Sequence, residues 1–296
     1  MTFAGVFAPI PTPFDDNERV DVDRLKTALA RWLGSPLTGF VILGSTGEAA
    51  FIDDHESDQI VGISRALVPA DRPFIVGTGR ESTRSTIAAT QRAAALGADA
   101  ALVRTPGFFK SQMTMDALVR HYLAVADASP IPILLYNFTA VTGVNLLPAA
   151  VGRLASHPNI VGVKESGGDI SQIADLVSGT PPDFNVLAGS GATFFPALSV
   201  GATGGILALA CVLPDACVRL FQLVSQRRYD EARELQRQLV PVARLVGSTY
   251  GVAGLKAALR LIGYDLGVPR SPLTSVPQSG MAALQEALAH FEKAAV

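Results

Sequence analysis

Cysteine is nearly absent from the chain. Only Cys211 and Cys217 occur, and neither belongs to a CxxC pair or stands near two histidines, the patterns that bind structural zinc. We therefore expect two buried free thiols and no metal site.

The chain also lacks an excess of charge and long apolar runs. The formal net charge is −2, which leaves no basic stripe for nucleic acid. No stretch reaches the ~18 consecutive apolar residues of a membrane span, and residues 1–14 lack the basic and apolar regions of a signal peptide. These absences predict a cytoplasmic protein that binds neither nucleic acid nor a membrane.

Lysine is scarce as well, and provides only 5 of the 24 lysine and arginine side chains. One of the five, Lys164, follows directly after the apolar residues 160–163, a run of the kind that forms a buried strand. A plain surface cation in this composition would more often be arginine, so an amine at this position indicates a specific role.

Short β-branched runs alternate with longer amphipathic segments over the first three quarters of the chain. This pattern is typical of βα units around a parallel sheet, and the 296 residues, 49% of them hydrophobic, suffice for a large core. The eight candidate strands are 4–10, 39–43, 74–77, 100–103, 131–136, 160–164, 185–188 and 204–208. Eight units favour an α/β fold of the (β/α)8 TIM-barrel type, with a doubly wound open sheet as the alternative.

Helical periodicity separates the strands and then continues alone. It covers residues 22–33, 56–67, 82–96 and 115–126 in the barrel region, and 228–245, 252–262 and 281–294 after it. We therefore predict a barrel domain over residues 1–224 and a C-terminal helical domain over residues 225–296.

Polar residues stand at several predicted strand ends, where a (β/α)8 barrel builds its active site. The segment "GSTGE" (44–48) follows strand two, Tyr136 ends strand five and Lys164 ends strand six. Burial disfavours the charged form of an amine, and a neutral lysine can attack a ketone to give a Schiff base, which lets a neighbouring C–C bond break without a metal or organic cofactor. Tyr136 would carry protons for this reaction, because strands five and six are neighbours about 4.8 Å apart and both residues end their strands.

Each of these residues also has a purely structural interpretation. Lys164 could extend to solvent, and Tyr136 could only pack. The segment 44–48 could be no more than a tight turn, or it could hold a carboxylate with its backbone N–H groups and the hydroxyls of Ser45 and Thr46. For Glu48 we expect a structural pairing with a neighbouring loop.

Other signals are weaker. "GTGRES" (77–82) lacks the third glycine of a dinucleotide loop, whereas "AGSGAT" (188–193) could bind an anion, which keeps a phosphosugar enzyme open. The four histidines are expected at the surface: His55, His121, His157 and His290.

Taken together and in this order, "GSTGE", "LLYN" and "VGVKESGGD" resemble the dihydrodipicolinate synthase/N-acetylneuraminate lyase family of pyruvate-dependent class I aldolases. The resemblance extends from "FAPIPTPF" (7–14) to "GVPRSPL" (267–273). It implies a (β/α)8 barrel with a C-terminal helical domain, commonly a homotetramer, and a lysine on strand six that forms an imine with pyruvate or another 2-oxo acid.

The resemblance also implies roles for individual residues. Lys164 matches the Schiff-base lysine, Tyr136 the tyrosine that shuttles protons, and Ser45 a hydroxyl of the same relay. Thr46 matches the residue that holds the C1 carboxylate of the substrate. Two further positions match backbone that lines the pocket on strands seven and eight: Gly189 and Ile206.

Two departures from the family pattern bear on the substrate. Synthases of dihydrodipicolinate carry an arginine in the loop after strand five for the carboxylate of the aldehyde, whereas this chain has Val141, which cannot form that pair. The second relay tyrosine is replaced by Phe108 or Phe109, so the relay would end at Ser45, a water or the substrate.

The local motifs are most similar to 4-hydroxy-2-oxoglutarate aldolases, which release pyruvate and glyoxylate, and Lys110 could then meet the distal carboxylate. The alternatives within the family are N-acetylneuraminate lyase, a 2-keto-3-deoxy sugar-acid aldolase or dehydratase, and 4-hydroxy-tetrahydrodipicolinate synthase. A barrel that binds a 2-oxo acid without catalysis is a further alternative.

Overall fold

Eight parallel strands close into a barrel in the computed structural model, which describes residues 3–294. The strand order around the barrel follows the chain, from β1 beside β2 to β8 back beside β1. The TIM-barrel prediction is therefore confirmed, and the open sheet is excluded. The strands are β1 Gly5–Pro9, β2 Gly39–Ile42, β3 Phe74–Gly77, β4 Ala100–Arg104, β5 Ile133–Asn137, β6 Ile160–Glu165, β7 Asn185–Ala188 and β8 Gly204–Ile206.

Helices surround the barrel and continue beyond it. They are α1 Val22–Leu33, α2 Asp54–Leu67, α3 Thr83–Ala95, α4 Met115–Ala128, α5 Thr139–Thr142, α6 Pro148–Leu154, α7 Ile170–Ser178, α8 Phe194–Ser199, α9 Leu209–Val212, α10 Pro214–Ser225, α11 Tyr229–Arg244, α12 Gly251–Leu261 and α13 Gln278–Ala294. Short polar side chains begin several of them. Asp53, for example, forms a reciprocal capping box with Glu56 at the start of α2.

The apolar side chains form two layers that the alternation along each strand separates. One layer packs the strands against the surrounding helices. The other fills the inside of the barrel and consists of Phe3, Phe7, Val41, Ile75, Ala100, Leu102, Leu134, Tyr136, Leu187 and Ile206. The barrel is thus a packed core, and only its two rims are free for polar chemistry.

Two predicted strands are wrong by two residues at one end, and four others are wrong by a single residue at one or both ends. The predicted strand 131–136 begins later, at Ile133, because Pro132 has no N–H to donate to the sheet. It continues to Asn137, which pairs with Glu165 of β6. The predicted strand 204–208 ends early, at Ile206, because Ala208 already has helical backbone angles.

The predicted C-terminal helices are present as α11, α12 and α13. Pro241 lies within α11, as expected. A five-residue π-helical segment, Leu245–Thr249, lies between α11 and α12. The division into domains at residue 224 stays a prediction, and α10 extends across it to Ser225. The outer ends of the two predicted domains, residues 1–2 and 295–296, lie outside the described residues.

Both cysteines are buried free thiols, as expected. The surface prediction is wrong for His121, which is buried on α4 with Nδ1 2.9 Å from Thr83 Oγ1. The His121 ring is buried because α4 packs it against the start of α3. Among residues 3–294, no helix is both long and apolar enough to cross a membrane.

Burial lowers the pKa of His121 to about 4, although Glu81 opposes the shift. The pKa of an unfolded histidine is about 6.5, so between pH 6.5 and pH 4 the unfolded state binds a proton that the folded state does not. Stability therefore falls as the pH is lowered through this window. We expect His121 to account for about 2 kcal/mol of the stability lost between pH 7 and pH 5. Urea unfolding of His121→Gln at both pH values should show a correspondingly smaller loss.

The matched control is His55→Gln, since His55 is exposed at the start of α2. This variant should lose as much stability as the wild type does. An equal loss in all three proteins would contradict the role of His121.

Candidate active site

Lys164 and Tyr136 lie side by side at the carboxyl end of the barrel. They are paired in the register of β5 and β6, so both side chains enter the same layer. Lys164 Nζ lies 4.3 Å from the centroid of the Tyr136 ring. Lys164 is 4% exposed, which excludes the alternative of a side chain that extends to solvent, and no carboxylate among residues 3–294 forms an ion pair with it.

Ser45 meets Tyr136 from the loop after β2. The Ser45 Oγ and Tyr136 hydroxyl oxygens are 3.3 Å apart, and either can donate. The structure therefore brings together three of the predicted site residues, in the order Lys164, Tyr136, Ser45, from the buried layer toward the rim.

Thr46 stands beside Ser45 and is partly exposed. The backbone N–H groups of Ser45 and Thr46 have no acceptor within residues 3–294, whereas those of Gly47 and Glu48 bond to carbonyls of the same loop. Two free donors next to two hydroxyls make a small anion-binding surface. Its predicted use for a carboxylate stays a prediction.

The loop that carries Ser45 is fixed by a buried ion pair. Glu48, in the left-handed backbone region at φ 56°, points into the protein, where its Oε1 lies 2.7 Å from Lys256 Nζ on α12. The two side chains are 1% and 2% exposed, and Arg270 N–H donates to Glu48 Oε2. The expected structural role of Glu48 is present, but its cation belongs to helix α12 and not to a neighbouring loop. The pair therefore connects the loop to the C-terminal helices.

Gly189 and Ile206 lie on the side of β6 away from Tyr136, since β7 is the neighbour of β6 and β8 is the neighbour of β7. Ile206 belongs to the interior layer with Tyr136. Gly189 donates its N–H to Glu165 O, and a Cβ on Gly189 would lie 1.8 Å from Ser166 Oγ, so no other residue fits at this position.

A cavity of about 590 Å³ opens above this layer, between the loops that follow β2, β3, β4 and β5. Ser45 and Tyr136 line it, and so does Leu273 from the segment before α13. Lys164 is not part of the lining, because the Tyr136 ring lies over its amine. Among the residues that the structure describes, no group of three or more His, Cys, Asp or Glu side chains could hold a metal ion.

The cavity contains one charged group that the predictions missed. Arg104, the last residue of β4, lines the cavity and forms an ion pair with Glu81, with Nη2 2.8 Å from Oε1. Glu81 belongs to "GTGRES", so this segment supplies a carboxylate to the cavity rim and not a dinucleotide loop. The sequence did contain a signal for Arg104: a basic residue that directly follows the apolar strand residues 100–103, as Lys164 follows residues 160–163.

The comparisons with known proteins agree with this geometry. A model of the Dihydrodipicolinate synthetase family matches residues 2–291. The chain belongs to this family. It is a class I aldolase, a carbon–carbon lyase that acts through a lysine Schiff base, and the non-catalytic barrel has no support.

Individual members are similar over their whole length. The 4-hydroxy-tetrahydrodipicolinate synthase of Exiguobacterium sp. is 36% identical, with 98% of this chain and 99% of the relative covered. That of Xanthomonas axonopodis pv. citri is 37% identical over 94% and 92%. The chloride-inhibited dihydrodipicolinate synthase of Acinetobacter baumannii, solved in complex with pyruvate, superposes with a TM-score of 0.94 at 30% identity over 98% and 99%.

The two departures from the family pattern both lie on the open side of the cavity. Val141 lines it and is 60% exposed. Phe108 and Phe109 are 77% and 66% exposed and pack edge to face with each other. Neither phenyl ring nor the valine can exchange a proton or bind a carboxylate, so the open side lacks both groups that the family pattern would place there.

The Glu48–Lys256 pair should be essential for stability. Lys256→Met would leave the Glu48 carboxylate buried without its cation, and we expect a loss of about 3–5 kcal/mol in the free energy of unfolding. Adding Glu48→Gln removes the uncompensated charge and should recover at least about 1 kcal/mol. Urea unfolding of the single and double variants measures both values.

Lys26→Met is the matched control, because Lys26 is 53% exposed in its pair with Asp23. It should stay within about 0.5 kcal/mol of the wild type. A Lys256→Met variant as stable as this control would show that the buried pair does not hold the loop.

Proposed function

We propose that the chain cleaves or forms a 4-hydroxy-2-oxo acid through an imine between Lys164 and pyruvate, and that its aldehyde substrate carries a carboxylate. The observation that supports this most directly is the buried amine of Lys164 beside the Tyr136 ring, with the Tyr136 hydroxyl 3.3 Å from Ser45 Oγ. A nucleophile and a proton carrier thus meet at one point of the rim.

In the direction of cleavage, Lys164 Nζ attacks the C2 ketone, and loss of water gives the iminium ion. Tyr136 then passes its phenolic proton to Ser45 and takes the proton of the C4 hydroxyl. The C3–C4 bond breaks, and its electron pair moves into the iminium to form an enamine. The C4 fragment leaves as the aldehyde. Protonation of the enamine at C3 and addition of water release pyruvate and restore the amine.

Ser45 is the proposed end of the proton relay. Its exposed hydroxyl connects the buried Tyr136 to solvent. Phe108 and Phe109, which stand where the family resemblance predicts the second relay tyrosine, carry no hydroxyl that could do so. Thr46, with the free N–H groups of residues 45 and 46, would hold the C1 carboxylate of pyruvate, and Gly189 and Ile206 would line the pocket at the ends of β7 and β8.

Two specific activities fit this chemistry. The names of the relatives favour 4-hydroxy-tetrahydrodipicolinate synthase, which is the alternative and not the first choice of the sequence analysis. The valine at position 141 favours the cleavage of 4-hydroxy-2-oxoglutarate to pyruvate and glyoxylate, because an aliphatic side chain cannot replace the arginine of the synthases. The homotetramer and the cytoplasmic location that the resemblance and composition suggest also remain proposals.

Borohydride reduction in the presence of pyruvate tests the imine. The intact mass of the wild type should rise by one reduced pyruvate, whereas Lys164→Ala should show no adduct and no turnover. Lys26→Ala, which removes an exposed lysine, should form the adduct as the wild type does. An adduct in Lys164→Ala would place the imine on another lysine.

Parallel assays decide between the two activities. We expect kcat/KM for 4-hydroxy-2-oxoglutarate cleavage to exceed that for formation of 4-hydroxy-tetrahydrodipicolinate by about 100-fold or more, the effect of about 3 kcal/mol from one charged contact. Val141→Arg should reduce this ratio. A wild-type preference for the synthase reaction would instead establish the activity that the relatives are named for.

A further inference from the structure

Arg104 occupies the same layer of the barrel as the residues of the proposed reaction, and the mechanism leaves it unused. In the register of the sheet it is the neighbour of Tyr136, which is in turn the neighbour of Lys164. Ala100 and Leu102 on the same strand face the barrel interior, so Arg104, two residues further on, faces the cavity that lies above it.

The Arg104 side chain is held in place before any substrate binds. Its stem packs on Gly79, where a Cβ would lie 2.7 Å from Arg104 Cγ. Its Nη2 pairs with Glu81, and its Nη1 donates to Thr105 O. Glu81 Oε2 in turn accepts the N–H groups of Gly107 and Phe108, both at 2.9 Å. Such preorganisation reduces the entropy that binding would otherwise cost.

The guanidinium still has a free donor. Arg104 Nε has no acceptor among residues 3–294, and the side chain is 27% exposed. An arginine offers five N–H donors in a planar fork, so its ion pair with Glu81 and its bond to Thr105 do not exhaust it.

The charges that line the cavity leave a surplus of positive charge. Glu48 is compensated by Lys256, and Glu81 is compensated by Arg104. Lys110 also lines the cavity, and it forms no ion pair within the described residues. An anionic substrate is therefore favoured over a neutral one.

We propose that Arg104 binds the carboxylate of the aldehyde substrate and so determines the preference for a short aldehyde that bears one. This inference rests on the proposed function. In this proposal, the carboxylate contact that Val141 cannot make comes instead from the end of β4. Arg104 is the better candidate for it than Lys110, because Arg104 is partly buried whereas Lys110 is exposed on the loop after β4.

The test compares matched aldehydes with and without a carboxylate in condensation with pyruvate: glyoxylate against acetaldehyde, and succinate semialdehyde against butanal. In Arg104→Met, kcat/KM for the carboxylated member of the preferred pair should fall about 10- to 100-fold, while that for its uncharged partner should change less than about threefold. Equal losses for both members, or no loss for either, would overturn the proposal.

Two further variants separate binding from structure. Glu81→Gln removes the ion pair but keeps the Arg104 charge, so it should retain most of the preference for the carboxylated aldehyde. If Glu81→Gln loses as much of this preference as Arg104→Met does, the preference depends on the loop contacts of Glu81 and not on the charge of Arg104. That result would overturn the proposal. Lys110→Met should alter the preference less than Arg104→Met does, and the reverse order would transfer the role to Lys110.

The pyruvate adduct keeps this proposal distinct from the proposed function. If the wild type forms no adduct on borohydride reduction, the proposed function fails. If Arg104→Met and Arg104→Lys form the adduct, both are folded and competent at Lys164. An unchanged aldehyde preference in Arg104→Met then overturns only the role of Arg104, whereas Arg104→Lys should retain part of the preference because it keeps the charge.

Discussion

The register of three neighbouring strands is the constraint on which the site depends. Arg104, Tyr136 and Lys164 are partners across β4, β5 and β6, and side chains alternate between the two faces of a strand. A shift of one residue in β6 would turn Lys164 toward the helices and place Glu165 in the barrel. The chemistry therefore requires no precise loop to position its amine, only the closed barrel and its hydrogen-bond ladder.

Ser45 and Thr46 lack this advantage, since they lie on a loop. The protein supplies rigidity there with buried charge: Glu48 turns inward and reaches Lys256 on α12. Burial lowers the pKa of Lys256 while the carboxylate opposes the shift, and the amine donates as well to Val268 O. The C-terminal helices thus act on the loop of Ser45 through this pair, which gives them a role in the geometry of the site and not only in the size of the core.

Features that depend on hydrophobic periodicity and on the residues at strand ends could be predicted from the sequence. Eight strands, the barrel and the neighbours Lys164 and Tyr136 follow from local patterns. The sequence could not show that Glu48 meets Lys256, because the two residues are brought together only by tertiary packing. For the same reason His121 was misplaced: an exposed and a buried histidine on an amphipathic helix differ in what packs against them, which the helix sequence alone does not contain.

In the proposed mechanism, the two halves of the substrate are held by different parts of the rim. Lys164 and the loop of Ser45 and Thr46 act on the pyruvate half, whereas the end of β4 and the loop after β5 face the aldehyde. Tyr136 lies between the two and acts on the bond that joins them. Arg104 is fixed by Glu81 from the loop after β3, so its proposed contact with the aldehyde carboxylate needs no partner at position 141. A chain 36% identical to a synthase can therefore keep the Schiff-base chemistry while its aldehyde side binds a carboxylate from another strand.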